Sequence, residues 1–223
     1  MDEYAHARET MISEQLVKRG IRNPRALEAF RHVPREKFVT AEQRELAYAD
    51  CALPIADEQT ISQPYVVALM LEAAEIGPTD RVLEIGAGSG YSAALLGHLA
   101  QRVWTMERHA SLARFAGARI AELGLANVTV LRGDGTLGWS PAAPFNVILV
   151  AAGGPAAPEP LRQQLAMGGR LVIPVGRDVS TQRLLKITRL DQANFAEVDL
   201  GSVAFVPLFG KHGFGEPAPI RAR

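Results

Sequence analysis

The sequence is short of several features that would direct a first reading. Its 223 residues include one cysteine, Cys51, so no internal disulfide can form and the fold rests on its core alone. That fits a reducing compartment. Cys51 has no identifiable activating partner and reads as a small, half-buried residue before a loop. Neither charge is in surplus, since Lys+Arg and Asp+Glu both number 24. A dedicated nucleic-acid binder usually carries a basic excess, so that class is set aside. No apolar run reaches the roughly 20 residues that span a bilayer. The opening Met1-Asp2-Glu3-Tyr4 lacks the basic-then-apolar pattern of a secretory signal. The expectation is a cytoplasmic protein with no membrane partner and no metal site.

What is present is ordinary for a soluble α/β chain: 48% hydrophobic and 22% charged residues. The length suits a single domain over 1–223. Residues 1–60 read as a helical N-terminal region, with helices over 3–19, closed by Gly20, and over 24–30, opened by Asn23 and Pro24. A short helix is expected over 41–48 and a loop over 53–61. From residue 61 to 183, apolar runs at Arg81–Ile85, Val103–Met106, Val128–Leu131, Phe145–Val150 and Arg170–Val175 alternate with helical segments at 91–99, 110–123 and 157–165. That alternation predicts a Rossmann-like, doubly wound, mostly parallel sheet. Strand-like segments at 184–188 and 202–208 read as antiparallel C-terminal strands within 184–210. Residues 211–223 read as a loosely held tail.

Four motifs fall where such a sheet binds ligands. Val82-Leu83-Glu84-Ile85-Gly86-Ala87-Gly88-Ser89-Gly90-Tyr91 is a buried strand, a glycine turn and a helix start. Glycines let backbone approach a ligand, and the helix N-terminus offers unpaired N–H groups. The dinucleotide spacing G-x-G-x-x-G is not met, because Tyr91 stands at the third glycine. Glu84 beside the loop would repel a pyrophosphate but would suit the ammonium end of a methionine moiety. Glu107, about 20 residues past the first glycine, can accept from ribose hydroxyls; it can also pair with Arg108 or Arg114 on the surface. Asp134, in Gly133-Asp134-Gly135, can accept from an adenine amine, or it can cap its own turn. Small residues at Ala151-Ala152-Gly153-Gly154-Pro155 leave room for an acceptor. Together these point to S-adenosylmethionine and methyl transfer. The Asn/Asp-Pro-Pro-Tyr/Phe tetrapeptide common where nitrogen is methylated is absent. A fifth run, Gln59-Thr60-Ile61-Ser62-Gln63-Pro64, is readable as Ser62 capping the next helix or as a hydroxyl facing a ligand.

With these residues in hand, the chain resembles the protein-L-isoaspartate O-methyltransferase family over nearly its whole length. The resemblance is most specific in Gln59-Thr60-Ile61-Ser62-Gln63-Pro64-Tyr65, in Leu83 to Tyr91, and in Gly168-Gly169-Arg170-Leu171-Val172-Ile173-Pro174-Val175-Gly176. It implies a Rossmann-like methyltransferase fold and makes Ser62 the active-site serine. The motifs and the resemblance together give a donor site of Thr60, Ile61, Ser62, Glu84, Gly86, Ala87, Gly88, Ser89, Gly90, Glu107, Arg108, Asp134 and Gly135. Gln59, Thr181 and Gln182 are placed near the acceptor. The implied substrates are isoaspartyl-containing proteins and peptides, methylated on the α-carboxylate by a monomer.

One departure stands out: Ala56-Asp57-Glu58 replaces the glycines that many members carry before Gln59. It stiffens the loop and adds two acidic groups near the expected entrance. Two other readings therefore stay open. One is a carboxyl methyltransferase acting on aspartate of a modified peptide or on another small acceptor. The other is a donor-binding protein that has lost turnover.

Overall fold

The computed structural model describes residues 4–178 and 180–215. Its centre is a seven-stranded sheet in the order β5-β4-β3-β6-β7-β8-β9. The parallel part is β3 (Arg81–Ile85), β4 (Arg102–Glu107), β5 (Val128–Arg132), β6 (Phe145–Val150) and β7 (Leu165–Val175). β8 (Arg183–Arg189) and β9 (Phe195–Ser202) continue the sheet antiparallel. The chain leaves β3 toward β4 on one side and reaches β6 on the other. The carboxyl ends of β3 and β6 thus flank the crevice where open α/β sheets bind ligands.

Alternation along the strands divides the core. Val82, Val103, Val147 and Val172 face one layer, built from α3 (Pro64–Ala74), α4 (Tyr91–Leu99), α5 (Ala110–Glu122) and the N-terminal helices. Leu83, Ile148, Leu171 and Ile173 face the other, covered by α6 (Glu159–Gln163) and the 135–142 turns. Both faces are apolar because both are covered. The N-terminal region joins the first layer through Met11, Leu16, Phe30 and Phe38. Its first helix, α1 (Ala5–Thr10), runs on in wider π-type turns over Met11–Val17. Gly20, at φ +101, ends it with Gly20 N–H donating to Val17 O and Ile21 N–H to Leu16 O. α2 (Pro24–His32) is capped by the Asn23 side chain, which accepts from Arg25 N and Ala26 N.

Several sequence expectations need correction. The 53–61 segment is a small hairpin of β1 (Leu53–Pro54) and β2 (Thr60–Ile61). Its turn holds Asp57 and Glu58 at φ 56 and 57, the left-handed region that glycine enters freely. The helix expected over 157–165 shrinks to α6, because the chain re-enters the sheet at Leu165, where Phe145 N donates to Gln164 O. The last strand is Phe195–Ser202, not 202–208. It is the exposed sheet edge and carries little apolar pattern, whereas the apolar 203–208 run packs at the strands' carboxyl ends. The tail is held through residue 214: Lys211 N and His212 N donate to Asp134 and Thr136, and Phe214 N to Leu208 O. Residues 216–223 of the expected tail lie outside the described residues. Cys51 is exposed rather than half-buried.

Candidate active site

The carboxyl ends of β3, β4 and β6 open into one cavity. Its floor is the glycine turn after β3, and its roof is the 59–62 segment with the 205–209 run. Ile55 reaches over the turn, within 3.5 Å of where a side chain on Gly88 would begin. Gly90, at φ +88, packs against α5, where an added Cβ would stand 3.0 Å from the Ala116 methyl. It supports the turn from behind and does not line the cavity.

Glu84 is fully buried at the cavity wall. One carboxylate oxygen accepts from Thr105 Oγ1, and Oε1 has no partner among the described residues. Burial pushes its pKa up to about 7, against the Thr105 and Ser92 hydroxyls that lower it, with nearby Glu107 adding to the rise. A buried carboxylate oxygen without a donor is a fitting partner for an ammonium. Glu107, at the end of β4, does not pair with arginine on the surface. It is buried, with Oε2 accepting from Gly88 N and Oε1 from His109 N, both at 2.9 Å. It therefore ties the glycine turn to the start of α5 while lining the cavity. Arg108 lines it too, its guanidinium 5.2 Å from the ring centre of Phe209.

Of the expected donor residues, Thr60, Ile61, Ser62, Glu84, Gly86, Ala87, Gly88, Ser89, Glu107, Arg108 and Gly135 line this cavity, as does Gln59. Asp134 does not. Its Oδ1 accepts from Thr136 N and Thr136 Oγ1, and its Oδ2 from Lys211 N at 2.8 Å. Partial burial draws its pKa up, but these bonds outweigh it and hold the carboxylate below its ordinary value. Asp134 thus caps its turn and anchors the C-terminal segment, and Gly133 and Gly135 face the cavity in its place.

Ser62 is not the helix cap. Gln63 occupies that position, with no side-chain bond, and Pro64 is the first helical residue. Ser62 instead lines the cavity and also a neighbouring groove formed by Ala52, Gln63, Val66 and residues 202–206. Thr181 is exposed and bonded to Asp178, away from both. Gln182 is buried and lines neither, but its amide grips Phe205: Nε2 donates to Phe205 O at 3.0 Å, and Oε1 accepts from Phe205 N at 2.7 Å. It thereby holds the wall shared by cavity and groove. Among the described residues no cluster of three His, Cys, Asp or Glu could hold a metal ion, and no helix is long and apolar enough to cross a membrane.

Sequence reasoning missed Ser92, His109 and Phe209. Ser92 and His109 follow immediately on motif residues, which was the available signal. Phe209 had none, because its place depends on the C-terminal segment folding back over Asp134.

The profile of the family described as Protein-L-isoaspartate(D-aspartate) O-methyltransferase matches residues 6–213. A protein-L-isoaspartate O-methyltransferase of Rhodopseudomonas palustris is 54% identical over 209 residues, covering 94% of this chain and 96% of its own. One from Protochlamydia amoebophila is 52% identical over 204 residues, covering 92% and 97%. A solved protein-L-isoaspartate O-methyltransferase structure superposes with a TM-score of 0.84 at 29% identity, over 92% of this chain and 67% of that one. A Plasmodium falciparum structure described as a beta-aspartate methyltransferase in complex with S-adenosyl-L-homocysteine gives 0.79 at 26% identity, over 91% and 98%. With its sequence matched almost end to end and its fold shared, the chain belongs to the protein-L-isoaspartate(D-aspartate) O-methyltransferase family.

Proposed function

We propose that the protein transfers a methyl group from S-adenosylmethionine to the α-carboxylate of L-isoaspartyl residues in proteins and peptides. The observation that carries this is that Thr60, Ser62, Ala151, Phe205 and Val206 belong to the walls of both the cavity and the adjoining groove. A donor in the first and an extended peptide in the second would meet at Ser62.

The residues fit the donor. Glu84 has an unpartnered buried oxygen for the ammonium, and Glu107 has lone pairs beyond the two that Gly88 and His109 engage. Arg108 and Phe209 wall the cavity beside the Gly133–Gly135 turn. The donor supplies an electrophilic methyl on a sulfonium and leaves as a neutral thioether. The acceptor carboxylate, with a pKa near 4, is already nucleophilic at neutral pH. No general base is needed, so the protein's part is to align the two groups and exclude water. Ser62 would hold the carboxylate by donating its hydroxyl proton in a hydrogen bond. Asp57 and Glu58 line neither the cavity nor the groove, and the Asp57 carboxylate accepts from Ser111 Oγ. The reading in which these acids have ended turnover therefore loses its basis.

The methylated product carries an ester poised for attack by the following backbone amide. Methanol leaves, a succinimide closes without further help, and hydrolysis returns some normal aspartate, which begins repair. We assign the protein to the cytoplasm as a monomer, a setting that suits one exposed thiol and no disulfide. Incubation of the protein with methyl-labelled donor and an isoaspartyl peptide tests the proposal. Base-labile label on the peptide is expected, and its absence under conditions where the donor binds would overturn it.

A further inference from the structure

Arg35 is the largest fully buried side chain and is 0% exposed. Among the described residues no carboxylate lies within ion-pair distance of it. A cation buried without a counter-ion costs more than an apolar side chain of similar volume would, so packing alone does not account for its presence. Its contacts lie on three separate stretches of chain. Nε donates to Ala47 O at 2.7 Å, in the N-terminal region. Nη2 donates to Ser62 O at 2.8 Å. The guanidinium lies over the ring of Tyr91, 4.8 Å from its centre, in the first turn after the glycine loop. Tyr91 in turn meets Phe30 and Phe38 edge-on, so the platform beneath the guanidinium is itself fixed.

We propose that Arg35 is a positioning residue, holding the Ser62 peptide group in register with the donor loop so that the Ser62 hydroxyl faces the acceptor. The proposal rests on the reading of Ser62 given above. A planar fork can donate to two carbonyls and stack on a ring at once. An ammonium is a point charge on a flexible stem and cannot do all three. Fixing the Ser62 carbonyl anchors the peptide plane that follows its Cα, and Pro64 restricts the backbone of the intervening Gln63, so the Ser62 side chain has less freedom to turn away.

The test begins with wild-type methyl transfer to an isoaspartyl peptide; no transfer there would refute the functional reading and not this one. With that activity in hand, Arg35→Lys and Arg35→Met are compared with Tyr48→Phe. Tyr48 belongs to the same buried cluster, where its hydroxyl accepts from Arg35 N and Arg8 Nε, but among the described residues it has no hydrogen bond with Ser62. Arg35→Lys is expected to lower kcat at least tenfold, with peptide KM and S-adenosylhomocysteine affinity within threefold of wild type. Tyr48→Phe should lower Tm with kcat within twofold. In a Ser62→Ala background, Arg35→Lys should cost less than a further twofold. A folded Arg35→Lys enzyme with wild-type kcat would overturn the proposal. So would an equal kcat loss in Tyr48→Phe, or an undiminished effect in the Ser62→Ala background. Failure of both Arg35 variants to fold even with donor present would assign Arg35 to folding and overturn it as well.

Discussion

If Glu84 holds the donor's ammonium as proposed, donor binding is a proton-linked event. With its pKa pushed up to about 7 by burial, the donor-free protein at neutral pH is a mixture of neutral and ionised forms. Only the ionised form pairs with the donor's ammonium, so binding draws the equilibrium toward the carboxylate and releases a proton. For a single group of pKa about 7, about one molecule in eleven is ionised at pH 6 and about three in four at pH 7.5. Affinity for S-adenosylhomocysteine should therefore rise about eightfold across that interval. The stability linkage has the opposite sense. The folded-state pKa lies above the ordinary carboxyl value of 4.5, so this group's contribution to the donor-free fold is fully present below about 4.5. It is lost as pH rises through about 7, a change of roughly 3 kcal/mol at most. Titration calorimetry in two buffers of different ionisation enthalpy reads both quantities. Release of nearly one proton per donor at pH 6, falling to about a quarter at pH 7.5, is expected. Glu84→Gln should abolish the pH dependence and weaken binding. A flat affinity from pH 6 to 7.5, with heats independent of buffer, would refute the reasoning.

Other perturbations follow from the same geometry. Glu107→Gln leaves either Gly88 N or His109 N facing an amide NH2, so donor affinity should fall by about 1–3 kcal/mol by calorimetry. Asp134→Ala frees Lys211 N, so cleavage by limited proteolysis near 208–214 should quicken and donor affinity should drop as the Phe209 wall loosens. Glu58→Gly relieves a left-handed non-glycine residue worth roughly 1 kcal/mol, and Tm should rise by about 2–4 °C. Ser62→Ala should lower kcat about tenfold, the effect of losing one hydrogen bond of roughly 1.4 kcal/mol in the transition state. Its melting temperature should hold, since Ser62 does not stand at the N-cap of α3.

The parts legible in the sequence were those with a local cause. The β3 strand and its glycine turn could be read because both faces of the strand are buried and the turn needs positive φ at Gly86, Gly88 and Gly90. The Asn23 cap and the Gly20 stop are likewise written within a few residues. What escaped was set by contacts distant in sequence. β9 could not be found from periodicity, because an edge strand facing water needs no apolar stripe. Asp134 sat in a motif that admits two roles, and its bond with Lys211 N, 77 residues away, left no local mark in the sequence. Arg35, followed by Glu36 and Lys37, has no local sequence signal of burial. Its burial depends on the Ala47 and Ser62 carbonyls and the Tyr91 ring arriving from elsewhere in the chain.

The central claim is that this site methylates an isoaspartyl carboxylate. An isoaspartyl residue differs from an aspartyl one by a backbone methylene, so a peptide in the groove presents its carboxylate at a different place beside Ser62. The direct test is a matched pair of peptides, one isoaspartyl and one aspartyl and otherwise identical, incubated with labelled donor. The account predicts base-labile methyl incorporation into the isoaspartyl peptide alone, followed by label released as methanol and the appearance of some aspartyl product. Incorporation into the aspartyl peptide alone would contradict it, and so would incorporation into neither while S-adenosylhomocysteine binds.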